Sequence, residues 1–193
     1  MAALSDVSNL STRRVLILGA GMLGLCGIAM ARTAGAAKVV AADICSDRVK
    51  RARAFGATDI VCLDTAGLAD LRSVIGGDGA DLVLEMSGAA PAVECAPELC
   101  AIGGIVKLVG SALPISTPAW IPEQIVRKLI RIQGVHNYSP EHFQAAMQFV
   151  AEQSTSLPFS SLIERTYCLQ DVQDAFQYAA TGSATRVAVT SAS

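Results

Sequence analysis

Val15-Leu16-Ile17-Leu18-Gly19-Ala20-Gly21-Met22-Leu23-Gly24 is the stretch on which the reading of this chain turns. A short apolar run leads into a G-x-G-x-x-G, and apolar residues at helical spacing continue to residue 34. A second run, Lys38-Val39-Val40-Ala41-Ala42, ends on Asp43, nineteen residues past Gly24. Strand, glycines, helix, strand and acid in that order form the pattern of a diphosphate-binding bend. Gly19 would permit the tight turn, Gly21 would keep side chains away from the phosphates, and Gly24 would let the helix approach the sheet. The first N–H groups of the helix, together with its dipole, would then face the anion.

Two other readings of the same segment compete. Ser11-Thr12-Arg13-Arg14-Val15-Leu16-Ile17 resembles a twin-arginine export signal, with Ala34-Gly35-Ala36 as its cleavage site. The 17 uncharged residues from 15 to 31 also reach the lower limit of a membrane span. Glycines at 19, 21, 24 and 27 weigh against both, because they sit where a bend needs them and where an apolar rod does not.

Beyond Asp43 the pattern keeps alternating. Strands are expected at residues 59–63, 80–86, 104–109 and 129–133, and helices at 46–55, 66–75, 91–101 and 122–128. With the first two strands this predicts an α/β fold, a doubly wound six-stranded parallel sheet in the order 3-2-1-4-5-6. The boundary at residues 153/154 separates this domain, 1–153, from a tail at 154–193. The tail should carry one helix at 169–180 and one strand at 186–190, for which the six-stranded sheet has no place.

Composition narrows the partners. The chain has 193 residues, 52% of them hydrophobic, and carries 15 basic against 17 acidic groups for a net charge of −2. No global field recruits nucleic acid or an anionic membrane. Between residues 13 and 53, however, eight basic residues meet two acidic ones, while the remainder holds seven basic and fifteen acidic. An anionic ligand is drawn to that first quarter. The six cysteines, at 26, 45, 62, 95, 100 and 168, form no Cys-x-x-Cys pair and no zinc spacing. They read as small buried thiols in a reducing cytoplasm.

Ligands of a doubly wound sheet cross the carboxyl ends of its strands. Asp43 would accept hydrogen bonds from the adenosine ribose and repel a 2′-phosphate, which favours NAD over NADP. Arg48 would lie along the adenine or answer a phosphate. The segments Glu85-Met86-Ser87-Gly88, Val109-Gly110-Ser111 and Gly134-Val135-His136-Asn137-Tyr138 would stand beside the cofactor. His136 is a candidate proton relay or a loop histidine with a hydrogen-bonding role. His142 reads as a surface residue.

The sequence resembles the cofactor-binding domain of the medium-chain, zinc-type alcohol dehydrogenases. Residues 15–24, Lys38-Val39-Val40-Ala41-Ala42-Asp43, Arg53-Ala54-Phe55-Gly56-Ala57, Gly103-Gly104, Val109-Gly110 and Arg186-Val187-Ala188-Val189 carry the likeness. Within that superfamily, Gly134-Val135-His136-Asn137-Tyr138-Ser139-Pro140 looks like the phosphonate-catabolism-associated alcohol dehydrogenase branch. The resemblance implies a Rossmann fold binding NAD. Gly19, Gly21, Met22, Leu23 and Gly24 would hold its pyrophosphate and Asp43 its adenosine ribose. Ser87, Gly110 and the backbone of Val135, His136 and Asn137 would line the ribose and nicotinamide, and Arg186 would reach a phosphate.

The family also implies a catalytic domain that bears the zinc, and its Cys/His/Glu ligands are not legible here. The expectation is therefore a truncated product, an excised domain or half of a split enzyme, binding cofactor without turnover. A catalytic domain or subunit in trans, and a homodimer through the sixth strand, are the expected partners. The tail, which in the family completes the catalytic domain, would be poorly ordered or folded back, with Leu162, Ile163 and Phe176 partly exposed. Two further classes stay open: a stand-alone NAD-sensing module, and a methyltransferase using S-adenosylmethionine, against which the glycine spacing argues.

Overall fold

The computed structural model describes residues 1–7, 9–114, 116–182 and 184–191. The chain divides into two compact units, Met1–Phe149 and Val150–Ser193. In the first, β1 (Arg14–Leu18), β2 (Lys38–Asp43), β3 (Asp59–Cys62), β4 (Ala80–Glu85), β5 (Cys100–Leu108) and β6 (Arg131–Gly134) form one sheet. Its order is β3-β2-β1-β4-β5-β6 and every pairing is parallel, as the alternation of runs predicts. Helices α1 (Met22–Thr33), α2 (Ser46–Ala54), α3 (Leu68–Ile75), α4 (Ala90–Leu99) and α5 (Pro122–Arg127) connect the strands, and α6 (Pro140–Gln153) follows β6.

The central strands are apolar without alternation because helices cover both faces of a parallel sheet. Val15, Leu16, Ile17 and Leu18 are buried, as are Val39 to Ala42 on β2 and Leu82 to Leu84 on β4. Truncating one of these, Leu16→Ala for example, costs about 2–5 kcal/mol in lost transfer energy and cavity. The apolar run from 15 to 31 is thus a strand, a bend and a helix. Among the described residues no helix is long and apolar enough to cross a membrane.

Most boundaries fall within one or two residues of the sequence expectation, and the departures around β5 and β6 have a local cause. Helix α4 stops at Leu99, and β5 begins at Cys100 where helix was expected, because Cys100 already pairs with Ala80 before a register shift. Gly79, at φ +129°, makes that pairing feasible: a Cβ there would lie 2.6 Å from the Leu99 carbonyl oxygen. Strand β6 starts two residues later than expected, since Leu129 takes φ +54° to turn out of α5. Of the six free thiols only Cys100 is buried and the other five are half-buried, against the expectation of buried thiols; Cys62, for one, closes β3, where the strand gives way to a turn.

The second unit holds β7 (Ile163–Cys168), α7 (Val172–Ala180) and β8 (Arg186–Thr190), with short 3-10 turns at Phe159–Leu162 and Leu169–Asp171. Strands β7 and β8 pair in parallel as a separate two-stranded sheet, so regular structure runs through the tail. Arg165 stacks its guanidinium 4.2 Å from the Tyr178 ring centroid. Ile163 and Phe176 are exposed, at 53% and 74%, whereas Leu162, expected to share that exposure, is buried at 6% because its 3-10 turn tucks it inward.

Candidate functional site

The register levels the carboxyl ends of the strands. Leu18 stands opposite Ala42 and Glu85, Glu85 opposite Leu108, and Leu108 opposite Gly134. The turns after β1, β2, β4, β5 and β6 therefore gather along one edge. A cleft of about 600 Å³ opens there, with Gly19, Asp43, Arg48, Ser87 and Cys95 in its wall.

The bend from β1 into α1 is built on its glycines. Gly19 has φ +95°, and a Cβ on it would lie 2.7 Å from the Ser87 Cβ. Gly24 meets the same turn from the helix side, where a Cβ would fall 1.9 Å from the Gly19 carbonyl oxygen. Gly21 differs: a Cβ there would touch nothing within 4 Å, so the space beside it is open. Gly21 is also the extended N-cap of α1, and no side chain caps the helix. Met22 and Leu23 open the helix, and the leading amides of an uncapped helix are suited to an anion.

Asp43 closes β2 at 7% exposure. Its Oδ2 accepts the Ala20 N–H at 2.8 Å and its Oδ1 the Cys45 N–H at 2.9 Å. The carboxylate is thus fixed in place and ties the second strand to the glycine bend. Arg48, half-buried on α2, shares the cleft wall. Cys95 lies in the wall too, and burial pushes its thiol up to about 11, so it is a neutral group at physiological pH.

Glu85, which the sequence places in a segment beside the cofactor without a role of its own, anchors the strand-end turns. It ends β4 with no exposure at all, and its Oε1 accepts the Ser87 N–H at 2.8 Å, the Ser87 hydroxyl at 2.6 Å and the Gly88 N–H at 2.8 Å. Its Oε2 accepts the Ser111 hydroxyl at 3.0 Å. The signal was present: an acid closing Leu82-Val83-Leu84 needs buried donors, and a Ser-Gly pair follows.

Gly110 packs against the same turn, a Cβ on it falling 2.4 Å from the Gly88 nitrogen. Val135 continues the row, its N–H donating to the Leu108 carbonyl at 2.9 Å. His136 is exposed in the loop beyond, where Asn137 takes φ +57°. The structure brings Gly19, Asp43, Arg48 and Ser87 into one cleft and sets Gly110 and Val135 along the same strand-end row. It places Arg186 in the second unit, exposed at the start of β8, its guanidinium donating to the Thr185 carbonyl at 3.3 Å. His142, read as a surface residue, is half-exposed on α6: its Nδ1 lies 3.1 Å from the Ser139 hydroxyl and accepts the Ser139 N–H at 3.2 Å, while its own N–H donates to the Ser139 hydroxyl that caps the helix.

The described residues bring together no group of three His, Cys, Asp or Glu side chains that could hold a metal ion. They do not fit a zinc centre.

A family model described as zinc-binding dehydrogenase matches residues 23–152. Among curated proteins, the L-threonine 3-dehydrogenase of Rhizobium etli strain CIAT 652 is 32% identical over 174 residues, which cover 90% of this chain and 49% of that protein. The D-xylulose reductase of Saccharomyces cerevisiae is 34% identical over 175 residues, covering 85% and 46%. An alcohol dehydrogenase from Thermotoga maritima superposes with a TM-score of 0.90 at 26% identity, over 97% of this chain and 53% of that one. The chain spans about half the length of the curated relatives it matches. It belongs to the zinc-binding dehydrogenase family, the zinc-type medium-chain alcohol dehydrogenases, and spans their cofactor-binding domain.

Proposed function

We propose that this chain binds NAD for an oxidoreductase that moves hydride between an alcohol or carbonyl substrate and the nicotinamide ring. The observation that carries the reading is the uncapped amino end of α1, presented over the open space at Gly21 and level with the fixed carboxylate of Asp43. Support comes from two solved proteins of the same fold, one from Escherichia coli CFT073 in complex with NADH and one from Sinorhizobium meliloti 1021 bound to NADP.

The amides of Met22, Leu23 and Gly24 would hold the diphosphate. Asp43 would accept from the adenosine ribose, and its negative charge disfavours a 2′-phosphate, so NAD is preferred. Arg48 would lie along the adenine. Ser87, Gly110 and the backbone of Val135, His136 and Asn137 would line the other half of the dinucleotide. The bound cofactor supplies the hydride acceptor or donor. The first unit's residues only hold and orient it, so zinc and the substrate wall would have to come from a catalytic domain or subunit. Such a partner, pairing of two copies through the exposed edge strand β6, and residence in the cytoplasm all belong to this reading.

Calorimetric titration of the purified chain with NADH, NADPH and S-adenosylmethionine tests it. Binding of NADH ahead of NADPH is the expected result, and no heat at millimolar NADH would overturn it. A stand-alone sensing role is the second reading, favoured by the first unit's presenting both the uncapped end of α1 and the fixed Asp43 carboxylate by itself. Dehydrogenase assays with and without a co-purifying partner separate the two.

A further inference from the structure

We propose that the Glu85 side chain is a positioning residue that locks the turn after β5 to the turn after β4, and so sets the seat of the nicotinamide half of the dinucleotide. The inference rests on the dinucleotide reading above and adds a residue to it. Its ground is the division of labour between the two carboxylate oxygens. Oε1 serves the β4 turn alone, through Ser87 and Gly88, while Oε2 crosses to the Ser111 hydroxyl of the β5 turn. The main chain of the same residue reinforces the crossing, since its carbonyl accepts the N–H groups of Val109 and Gly110, both at 2.9 Å. The two turns touch without side chains between them, glycine against glycine at 88 and 110.

A carboxylate with no exposure is costly to desolvate, and it persists where several donors meet it. Here those donors all belong to the turns that line the strand-end row. The diphosphate sits at α1 and the adenosine side falls towards Asp43 on β2, so the remaining half of the ligand runs over β4, β5 and β6. Loosening the β5 turn should therefore be felt by the nicotinamide end and hardly by the adenosine end.

Ser111→Ala isolates that step, because it removes the one bond from Oε2 and leaves the three donors on Oε1. The affinities of the chain and its variant for NADH and for ADP, measured by calorimetry, give two independent readouts. The expected result is about a tenfold weaker affinity for NADH, with ADP changed by less than about twofold. Glu85→Gln keeps an acceptor for the β4 turn and an amide that can donate to the Ser111 oxygen, so it should hold NADH affinity within about threefold. Unchanged NADH binding in Ser111→Ala would overturn the proposal, as would a parallel loss of ADP, which marks a general structural role. Failure of the unsubstituted chain to bind either ligand would instead sink the dinucleotide reading.

Discussion

Gly24 of α1 rests on Gly19 of the preceding turn so closely that a Cβ on Gly24 would stand 1.9 Å from the Gly19 carbonyl oxygen. Gly21, between them, faces open space. The two positions should therefore separate folding from binding. Gly24→Ala forces helix and turn apart and should destabilise the chain by about 1–3 kcal/mol, the usual cost of overpacking. Gly21→Ala should leave the melting temperature within about 2 °C of the parent while weakening NADH at least about tenfold, because its methyl occupies the space where a diphosphate would approach. Thermal melts paired with NADH titrations check this. Equal effects of the two substitutions on both readouts would contradict it.

Asp43 offers a second separation. Both of its oxygens accept backbone N–H groups, from Ala20 and from Cys45. In Asp43→Asn one of those donors must face an amide NH2, at a cost of about 1–3 kcal/mol. NADH affinity should fall roughly tenfold, and the gap between NADH and NADPH should narrow because the charge opposing a 2′-phosphate is gone. Competitive titration of the variant with the two cofactors measures the ratio. A preference as wide as the parent's would mean that Asp43 does not discriminate.

The glycine bend, the strand order and the acid on β2 could be read from sequence because they are encoded within about 30 residues by period and turn chemistry. Glu85 and Lys107 were harder. Each is a charge inside or at the end of an apolar strand, and local pattern says only that a partner must exist. The partner of Lys107 is Asp6, 101 positions away, and no periodicity reaches that far. The start of β5 was misread for a related reason. Residues 100 and 101 continue the helical spacing of α4, yet the open edge of Ala80 captures Cys100 as strand. The local bonding of His142 was not legible either, because its partnership with the Ser139 cap depends on a turn whose geometry the sequence does not specify.

The Asp6–Lys107 pair predicts an acid limb of stability. Lys107 is buried to 1% exposure, while Asp6 is half-exposed at 52%, and the hydrogen bond from Lys107 holds the Asp6 carboxyl below the usual aspartate range. A lowered folded value means that the pair's contribution is fully present above about pH 4, where the unfolded group is ionised, and is lost as pH falls through the folded value. Urea unfolding of the parent should show stability declining below about pH 4. Asp6→Asn, which leaves a buried ammonium without its carboxylate, should be less stable at pH 7 and show a shallower decline at acid pH. Superimposable pH profiles would show that the pair contributes nothing.

Cys95 lines the cleft, yet its thiol is pushed up to about 11 by burial, with the negative charges of Glu98, Glu85 and Glu94 adding to the effect. At pH 8 only about one molecule in a thousand carries the thiolate that an alkylating agent attacks. Iodoacetamide should therefore label Cys95 far more slowly in the native chain than in the unfolded one, and raising the pH from 8 to 9 should speed the native reaction about tenfold. NADH should slow it further if the cleft is the adenosine site, since the ligand would cover the wall to which Cys95 belongs. Peptide mass spectrometry of timed samples resolves this thiol from Cys45 and Cys62. Rapid native labelling at pH 8, indifferent to NADH, would show that the thiol is neither buried as described nor part of a cofactor-lined wall.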